Sequence, residues 1–363
     1  MKTVTPYQRE YQALKSKIDK RLASVCFSGS FILKNEVESF EKEFSRYLEV
    51  KHVIGVGNGM EALQIGLMAK GIGKGDEIIT TSLSAVATTL SITSLGAIPV
   101  FVDIDTYFHI DSSLIEKAIT KKTKAILPVH LYGQSVDMDR LRMIAKKHKL
   151  FLFEDACQAH GAMYRKEKLG TIGEFGAFSF YPTKNLGCYG DGGAIATNDD
   201  KVAKQCRILR NYGQQDRYVH VKCGLNSRLD ELQAGILRTK LPHLNVWNKK
   251  RRDIAIAYSH LLHGVGDIEI PLTRPYALHI FHQYVIRTKK RDELLSFLQK
   301  KSIPVLIHYP IPIHKQTCYP QYNSIKLPRT EQFCREILSL PIHPYMLKSD
   351  VYTIVKAVKQ FFT

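Results

Sequence analysis

The sequence predicts an α/β protein: a large domain on a mixed, mostly parallel sheet flanked by helices, and a smaller α+β C-terminal domain. Three observations carry this. Short apolar stretches alternate with helical ones from residue 52 to residue 155, the pattern of a parallel sheet covered by helices on both faces. After Asp155, glycine-bearing turns replace that alternation. A long, highly charged helical stretch over 246–262 then reads as a connector to the C-terminal domain. With 363 residues, 44% hydrophobic and 24% charged, the chain holds enough apolar material for a large core, and its length suits two domains. The expected division is 1–245 and 246–363.

In chain order, Val37, Phe40, Phe44 and Leu48 recur at helical spacing and predict a helix over 36–48. A strand over 52–56 comes next, then the turn Gly57-Asn58-Gly59 and a helix from Met60 that Gly71 and Gly73 stop. Strands are expected at 78–81, 98–102, 125–129 and 150–153, the last running into Glu154-Asp155. Helices at 85–95, 114–119 and 138–148 separate them. Beyond, 175–179 and 193–197 read as strands, and 200–210, 229–241 and 246–262 as helices. The C-terminal part is expected to contribute strands at 282–287 and 305–308 and helices at 292–300 and 350–361. Trp247, the only tryptophan, is expected to pack on the connector helix.

Lys and Arg (52) exceed Asp and Glu (34) by 18. This excess suits anionic partners, but it is spread over short clusters such as Lys121-Lys122 and Lys146-Lys147, so a nucleic-acid-binding arm is disfavoured. The seven cysteines form no C-x-x-C pair, which fits free thiols in a reducing compartment and argues against disulfides or a structural zinc site. The first thirty residues are charged and helix-like rather than signal-like, and no stretch approaches the ~18 apolar residues of a membrane span. A cytoplasmic chain without membrane or nucleic-acid partners is the expectation.

Three stretches bear chemistry. Gly57-Asn58-Gly59-Met60, between a strand and a helix, can bring backbone N–H groups and the positive end of a helix dipole up to an anion; an ordinary βα turn is the plain alternative. Glu154-Asp155 sits at the C-terminal end of a buried parallel strand, where open α/β sheets bind ligands, and one of the two acids can equally be a structural cap. Lys184, in Ser179-Phe-Tyr181-Pro-Thr-Lys184-Asn, stands alone between apolar strands, whereas the other lysines lie in solvated runs; burial would lower its pKa and make it nucleophilic. His130 and His160, near strand ends, read as structural histidines.

Anion cup, acid and lysine, in that order, resemble the DegT/DnrJ/EryC1/StrS family of sugar aminotransferases. The resemblance runs from Ser28-Gly-Ser-Phe-Ile-Leu33 to Leu338-Ser-Leu-Pro-Ile-His343. Its strongest blocks are GVGNGMEAL, EDACQAHGA, FSFYPTKNLG with DGGAI, GLNSRLDELQAGIL and LIHYPIPIH. It implies an aspartate aminotransferase-like fold of type I, with pyridoxal 5'-phosphate bound covalently to Lys184. Asp155 would face the pyridine nitrogen, Gln158 the phenolic oxygen and Cys157 a ring face. Ser179 and the N–H groups of Gly59 and Met60 would hold the phosphate, and Asn226 would reach the phosphate of a neighbouring subunit's cofactor in a homodimer. Arg228, Tyr181, His308 and Tyr309 are the implied substrate contacts.

Two positions depart from the family pattern. Met60 stands where Thr is usual, and Leu83-Ser-Ala-Val-Ala-Thr88 lacks the aromatic residue that stacks on the ring in many relatives. Lys184 itself favours amino transfer, since dehydrating members carry His there. The implied reaction moves the amine of glutamate to a nucleotide-linked keto-deoxysugar, with carbon 3 of a dTDP-sugar foremost and carbon 4 the alternative. A nucleotide-dependent oxidoreductase is the rival of another class. It would use the Gly57 turn for pyrophosphate, but Ala62 occupies the last glycine position of the fingerprint, and Asp155 and Lys184 would be left without a role.

Overall fold

The computed structural model describes residues 5–363; positions 1–4 of the expected large domain lie outside the described residues. The chain opens with α1 (Pro6–Ser28), whose start is set by a reciprocal cap: Thr5 Oγ1 accepts from the Gln8 N–H, and the Gln8 side chain accepts from the Thr5 N–H. The helical character of the N-terminal stretch thus extends over 23 residues. After it come α2 (Asn35–Leu48), β1 (His52–Val56), α3 (Gly59–Ala69), β2 (Glu77–Thr81), α4 (Val86–Thr93) and β3 (Ile98–Val102). Next are α5 (Ile115–Ala118), β4 (Thr123–Ile126), α6 (Met138–His148) and β5 (Phe151–Asp155), then a short hairpin, β6 (Met163–Tyr164) and β7 (Glu167–Lys168). Strands β8 (Phe175–Ser179) and β9 (Gly193–Thr197) precede α7 (Asp200–Leu209), a small hairpin of β10 (Gln214–Asp216) and β11 (Val219–His220), α8 (Glu231–Lys240) and α9 (Leu244–Leu262). The remainder is β12 (Ala277–Leu278), β13 (Tyr284–Arg287), α10 (Arg291–Lys300), α11 (Pro328–Glu336), β14 (Ile337–Leu340) and α12 (Lys348–Phe362).

Seven strands form the main sheet in the order β1-β9-β8-β5-β4-β2-β3. All its pairings are parallel except those of β9, which runs antiparallel to both β1 and β8. The expectation of a mixed, mostly parallel α/β sheet holds. Both faces of the central strands are buried, which is why β8 and β9 read as continuous apolar runs rather than alternating ones. On one face Phe40 and Phe44 of α2 meet Phe178 and Phe180 edge-on at 5.2–5.6 Å. The start of α2 has no side-chain cap of its own. Instead Glu231 of α8 accepts the N–H groups of Lys34, Glu36 and Val37 at 2.7–3.1 Å.

A second core gathers Ala255, Tyr258, Tyr284, Ile286, Leu294, Leu338 and Val355 around the β13–β14 pair. We propose that the division into two units runs along α9, whose C-terminal half enters this core. The return is not one-way. β12 pairs with β6, and Thr330 donates to Asp103 at 2.7–2.8 Å, so parts of the C-terminal segment dock back on the main sheet. Trp247 packs with Leu14 and Ile18 of α1 and with Ile236. The strand expected over 305–308 does not form. Leu306 makes a single bridge to Ser339, because Pro304 and Pro310 bracket the segment and cannot donate to a ladder. Among the described residues, no helix is long and apolar enough to cross a membrane.

Candidate active site

The site lies at the C-terminal ends of β5 and β8, where β1 hands over to α3. Asn58 caps α3, its Oδ1 accepting the Glu61 N–H at 2.9 Å. The first-turn N–H groups of Gly59 and Met60 therefore have no helical carbonyl to meet and point out of the helix start. Glycine at 59 is a packing requirement: a Cβ there would lie 2.7 Å from Ser179 Cβ and 2.9 Å from Cys157 Sγ. At Gly193, on β9, a Cβ would run into the Asn58 carbonyl at 2.4 Å. Two glycines thus let three strand ends converge on one helix N-terminus.

Beyond β8 the chain turns tightly, with Lys184 N donating to Tyr181 O at 2.9 Å and Cys188 N to Phe180 O at 2.8 Å. Asn185 anchors the turn from behind, donating to Asn248 Oδ1 at 2.8 Å and pairing with His282 at 3.2 Å. Lys184 then projects into a cavity of about 270 Å3. Gly59, Met60, Asp155 and Cys157 line this cavity, as do Gln158, Ser179 and Tyr181. Burial pulls the Lys184 ammonium below its ordinary pKa, with Cys157 and Asp155 opposing, so the neutral amine is favoured relative to a solvated lysine. The Cys157 thiol is pushed well up, by burial first and by Asp155 next, and stays protonated.

The two acids of β5 part company, as successive strand residues must. Glu154 is 0% exposed and accepts N–H groups from Gly170, Ile172 and Gly173 at 2.6–2.8 Å, besides pairing with His130 at 2.9 Å. It is a structural anchor. Asp155 turns to the cavity, with Oδ2 accepting from the Thr88 hydroxyl at 2.7 Å and Oδ1 from Cys157 N at 3.2 Å. Gln158 is fixed from two sides: Oε1 accepts from Tyr132 N at 2.7 Å, and Nε2 donates to Tyr309 Oη at 3.1 Å. One amide hydrogen remains on Nε2. His160 sits against the rings of Phe178 and Phe180 with neither nitrogen hydrogen-bonded, and burial lowers its pKa to about 3.

Four of the expected residues lie outside this cavity. Tyr309 stands behind Gln158, and burial pushes its phenol up to about 12. His308 pairs with Ser339 at 2.9 Å and faces a separate cavity of about 250 Å3 with Thr183 and Arg251. Asn226 is exposed and bridges to Asn211; Arg228 donates to Asn211 Oδ1 at 3.2 Å with its guanidinium over Tyr212. Conversely, Ser84, Thr88, Val129 and Asp191 line the Lys184 cavity although the sequence reading gives none of them a role there. For Ser84 and Thr88 the available signal is two hydroxyls four residues apart at the entry to a helix that succeeds a strand end.

A family model, that of the DegT/DnrJ/EryC1/StrS aminotransferase family, matches residues 12–359. The chain belongs to this family. Among its relatives, a dTDP-3-amino-3,4,6-trideoxy-alpha-D-glucose transaminase of Streptomyces venezuelae is 45% identical over 97% of this chain and 93% of its own length. A pleiotropic regulatory protein of Geobacillus stearothermophilus is 46% identical over 97% of this chain and 96% of its own. The solved structure of S. venezuelae DesV in complex with a ketimine intermediate superposes with a TM-score of 0.95, at 44% identity, over 98% of this chain and 96% of that one. The protein is thus a pyridoxal-phosphate-dependent aminotransferase of fold type I. An oxidoreductase reading finds no support.

Proposed function

We propose that this aminotransferase moves the amine of glutamate to carbon 3 of a dTDP-linked keto-deoxysugar. The observation that carries the reading is that a half-buried lysine, a carboxylate held by the Thr88 hydroxyl and Cys157 N, and an open helix N-terminus share one cavity. The named transaminase among the relatives supports the sugar and the carbon.

The residues present fit pyridoxal phosphate. Gly59, Met60 and Ser179 line the cavity together, so the Gly59 and Met60 N–H groups and the Ser179 hydroxyl would hold the phosphate. Met60 offers only its backbone, so no side-chain hydroxyl from that position reaches the phosphate. Asp155 would face the pyridine nitrogen and keep it protonated, the remaining Gln158 N–H would be available to the phenolic oxygen, and Cys157 would pack on the ring. Pyridoxal phosphate supplies an aldehyde that condenses with amines and a protonated ring that accepts the electron pair left at Cα. Lys184 would hold the cofactor, and its amine, freed when glutamate takes its place, would move the proton off the donor Cα to the cofactor and, in the reverse half, from the cofactor to carbon 3 of the sugar. In a homodimer, exposed Asn226 and half-buried Arg228 would serve the neighbouring site, and Tyr181 would border the sugar nucleotide, with His308 and Tyr309 outside the Lys184 cavity.

A panel of dTDP- and UDP-linked 3-keto and 4-keto sugars tests this. The dTDP-linked 3-keto-6-deoxyhexose is expected to exceed every other acceptor by at least about 10-fold in kcat/KM. Faster turnover of a 4-keto sugar would move the amination to carbon 4. Failure of every acceptor, with glutamate leaving the cofactor's absorption unchanged, would favour a regulatory role of the kind borne by the name of the Geobacillus relative. The phosphate cradle has its own check. Gly59→Ala is expected to weaken pyridoxal phosphate binding by about 10-fold or more, read by equilibrium titration of the apo-protein, because the methyl group would press on Ser179 and Cys157.

A further inference from the structure

Asp155 does not face the cavity unaided. Its Oδ2 receives the Thr88 hydroxyl at 2.7 Å, and the Thr88 and Ser84 oxygens are 2.8 Å apart. All three side chains are buried, with Asp155, Thr88 and Ser84 exposed by 5, 1 and 4%. Thr88 has a single hydroxyl proton, and an ionised carboxylate only accepts. That proton must point at Oδ2, which leaves the Thr88 oxygen free to accept and makes Ser84 the donor to it. The direction of the chain is therefore set: Ser84 to Thr88 to Asp155. Its far end is also fixed, since the neighbouring Ser82 carbonyl accepts Ile313 N and the Ser82 hydroxyl accepts His314 N, both at 3.0 Å.

We infer that Thr88, backed by Ser84, is a positioning residue that sets the rotamer of Asp155 and stabilises its charge, so that Oδ1 stays turned to the ligand. The inference rests on the reading that Asp155 meets the pyridine nitrogen of the cofactor. A charge-assisted hydrogen bond to one carboxylate oxygen is strong and directional, and a carboxylate held against that nitrogen keeps the nitrogen protonated. Burial of both hydroxyls shields the chain from competing water.

Thr88→Val tests this cleanly, because valine keeps the branched shape and removes only the hydroxyl. The holoenzyme reconstituted with cofactor labelled with 15N in the ring is read by the chemical shift of that nitrogen and by the rate of the glutamate half-reaction. Thr88→Val is expected to move the nitrogen signal toward the unprotonated position and to slow the half-reaction by about 10- to 100-fold. KM for the sugar should stay within about 2-fold. Thr88→Ser should restore the signal and most of the rate. Ser84→Ala should shift both readouts in the same direction by a smaller amount, and it carries the test should Thr88→Val fail to fold. A wild-type nitrogen signal and rate in Thr88→Val, or in Ser84→Ala when that variant stands in, overturns the inference and leaves these hydroxyls as packing. Asp155→Ala separates the two layers. A nitrogen signal unmoved there overturns the reading of Asp155 itself and the inference with it, whereas a moved signal there with none in Thr88→Val overturns the inference alone.

Discussion

Lys184→Ala is expected to lose at least about 10,000-fold in kcat while its apo-form melts at or slightly above the wild-type temperature. The two halves of that expectation have separate causes. Activity goes because, on the proposed mechanism, the amine that holds the cofactor and moves the proton at Cα is gone, and neither His160 nor His282 can substitute. Burial holds both imidazoles well below their ordinary pKa, and His282 is committed to Asn185. The fold stays because the turn around residue 184 is secured by its backbone, through Lys184 N to Tyr181 O, and by Asn185 from behind. Alanine preserves every one of those bonds. Removing an amine whose pKa burial depresses also removes a desolvation cost, so stability is not lost. Thermal unfolding and steady-state turnover decide this together with borohydride reduction, which should fix the cofactor to the Lys184 peptide in wild type and to none in the variant. Turnover above about 1% of wild type, or a melting point several degrees lower, would contradict it.

How legible each feature is in the sequence depends on how local its signal is. The turn at Gly57–Gly59 and the lysine at 184 are announced by their neighbours, because close approach demands glycine and a lone lysine between apolar strands is conspicuous. The pair Glu154-Asp155 is visible as a pair only. Which acid faces the ligand is decided by the N–H groups of Gly170, Ile172 and Gly173, which arrive over the other face from a loop that no periodicity describes. Thr88 is invisible for the same reason. A threonine in a helix has no meaning until Asp155, 67 residues later, is folded against it. In the C-terminal segment, α11 and β14 escape the pattern reading although Pro328 at the first helical position is a usable start signal. There the apparent strand at 305–308 stands out instead, its hydrophobic pattern being real and its prolines decisive.

Glu154→Ala should show the reverse of the Lys184 pattern, with stability lost first. The carboxylate is wholly buried and is the acceptor for three backbone N–H groups and for His130. Val136 N approaches His130 Nδ1 at 3.4 Å, so Nδ1 accepts and the proton sits on Nε2, directed at Glu154. Truncation to alanine leaves four donors facing a cavity. An orphaned buried donor costs about 1–3 kcal/mol, and the cavity can take in water that satisfies some of them, so a net loss of about 3–5 kcal/mol is expected. At the entropy of unfolding of a chain this long, that is a drop of about 4–7 °C in the melting point of the apo-protein. Glu154→Gln should fall between, since its carbonyl oxygen still accepts two of the N–H groups while its amide confronts the others donor to donor. The loop also carries Gly170, whose backbone lies so close to Gly176 that a Cβ on Gly176 would sit 2.2 Å from the Gly170 carbonyl oxygen. Slackening it displaces β8 against β5, so cofactor affinity is expected to fall by about 3- to 10-fold as a consequence of lost packing rather than of lost chemistry. An apo-variant melting within 1 °C of wild type would mean that water satisfies all four donors, and Glu154 would then have to be sought among the groups that act on the ligand.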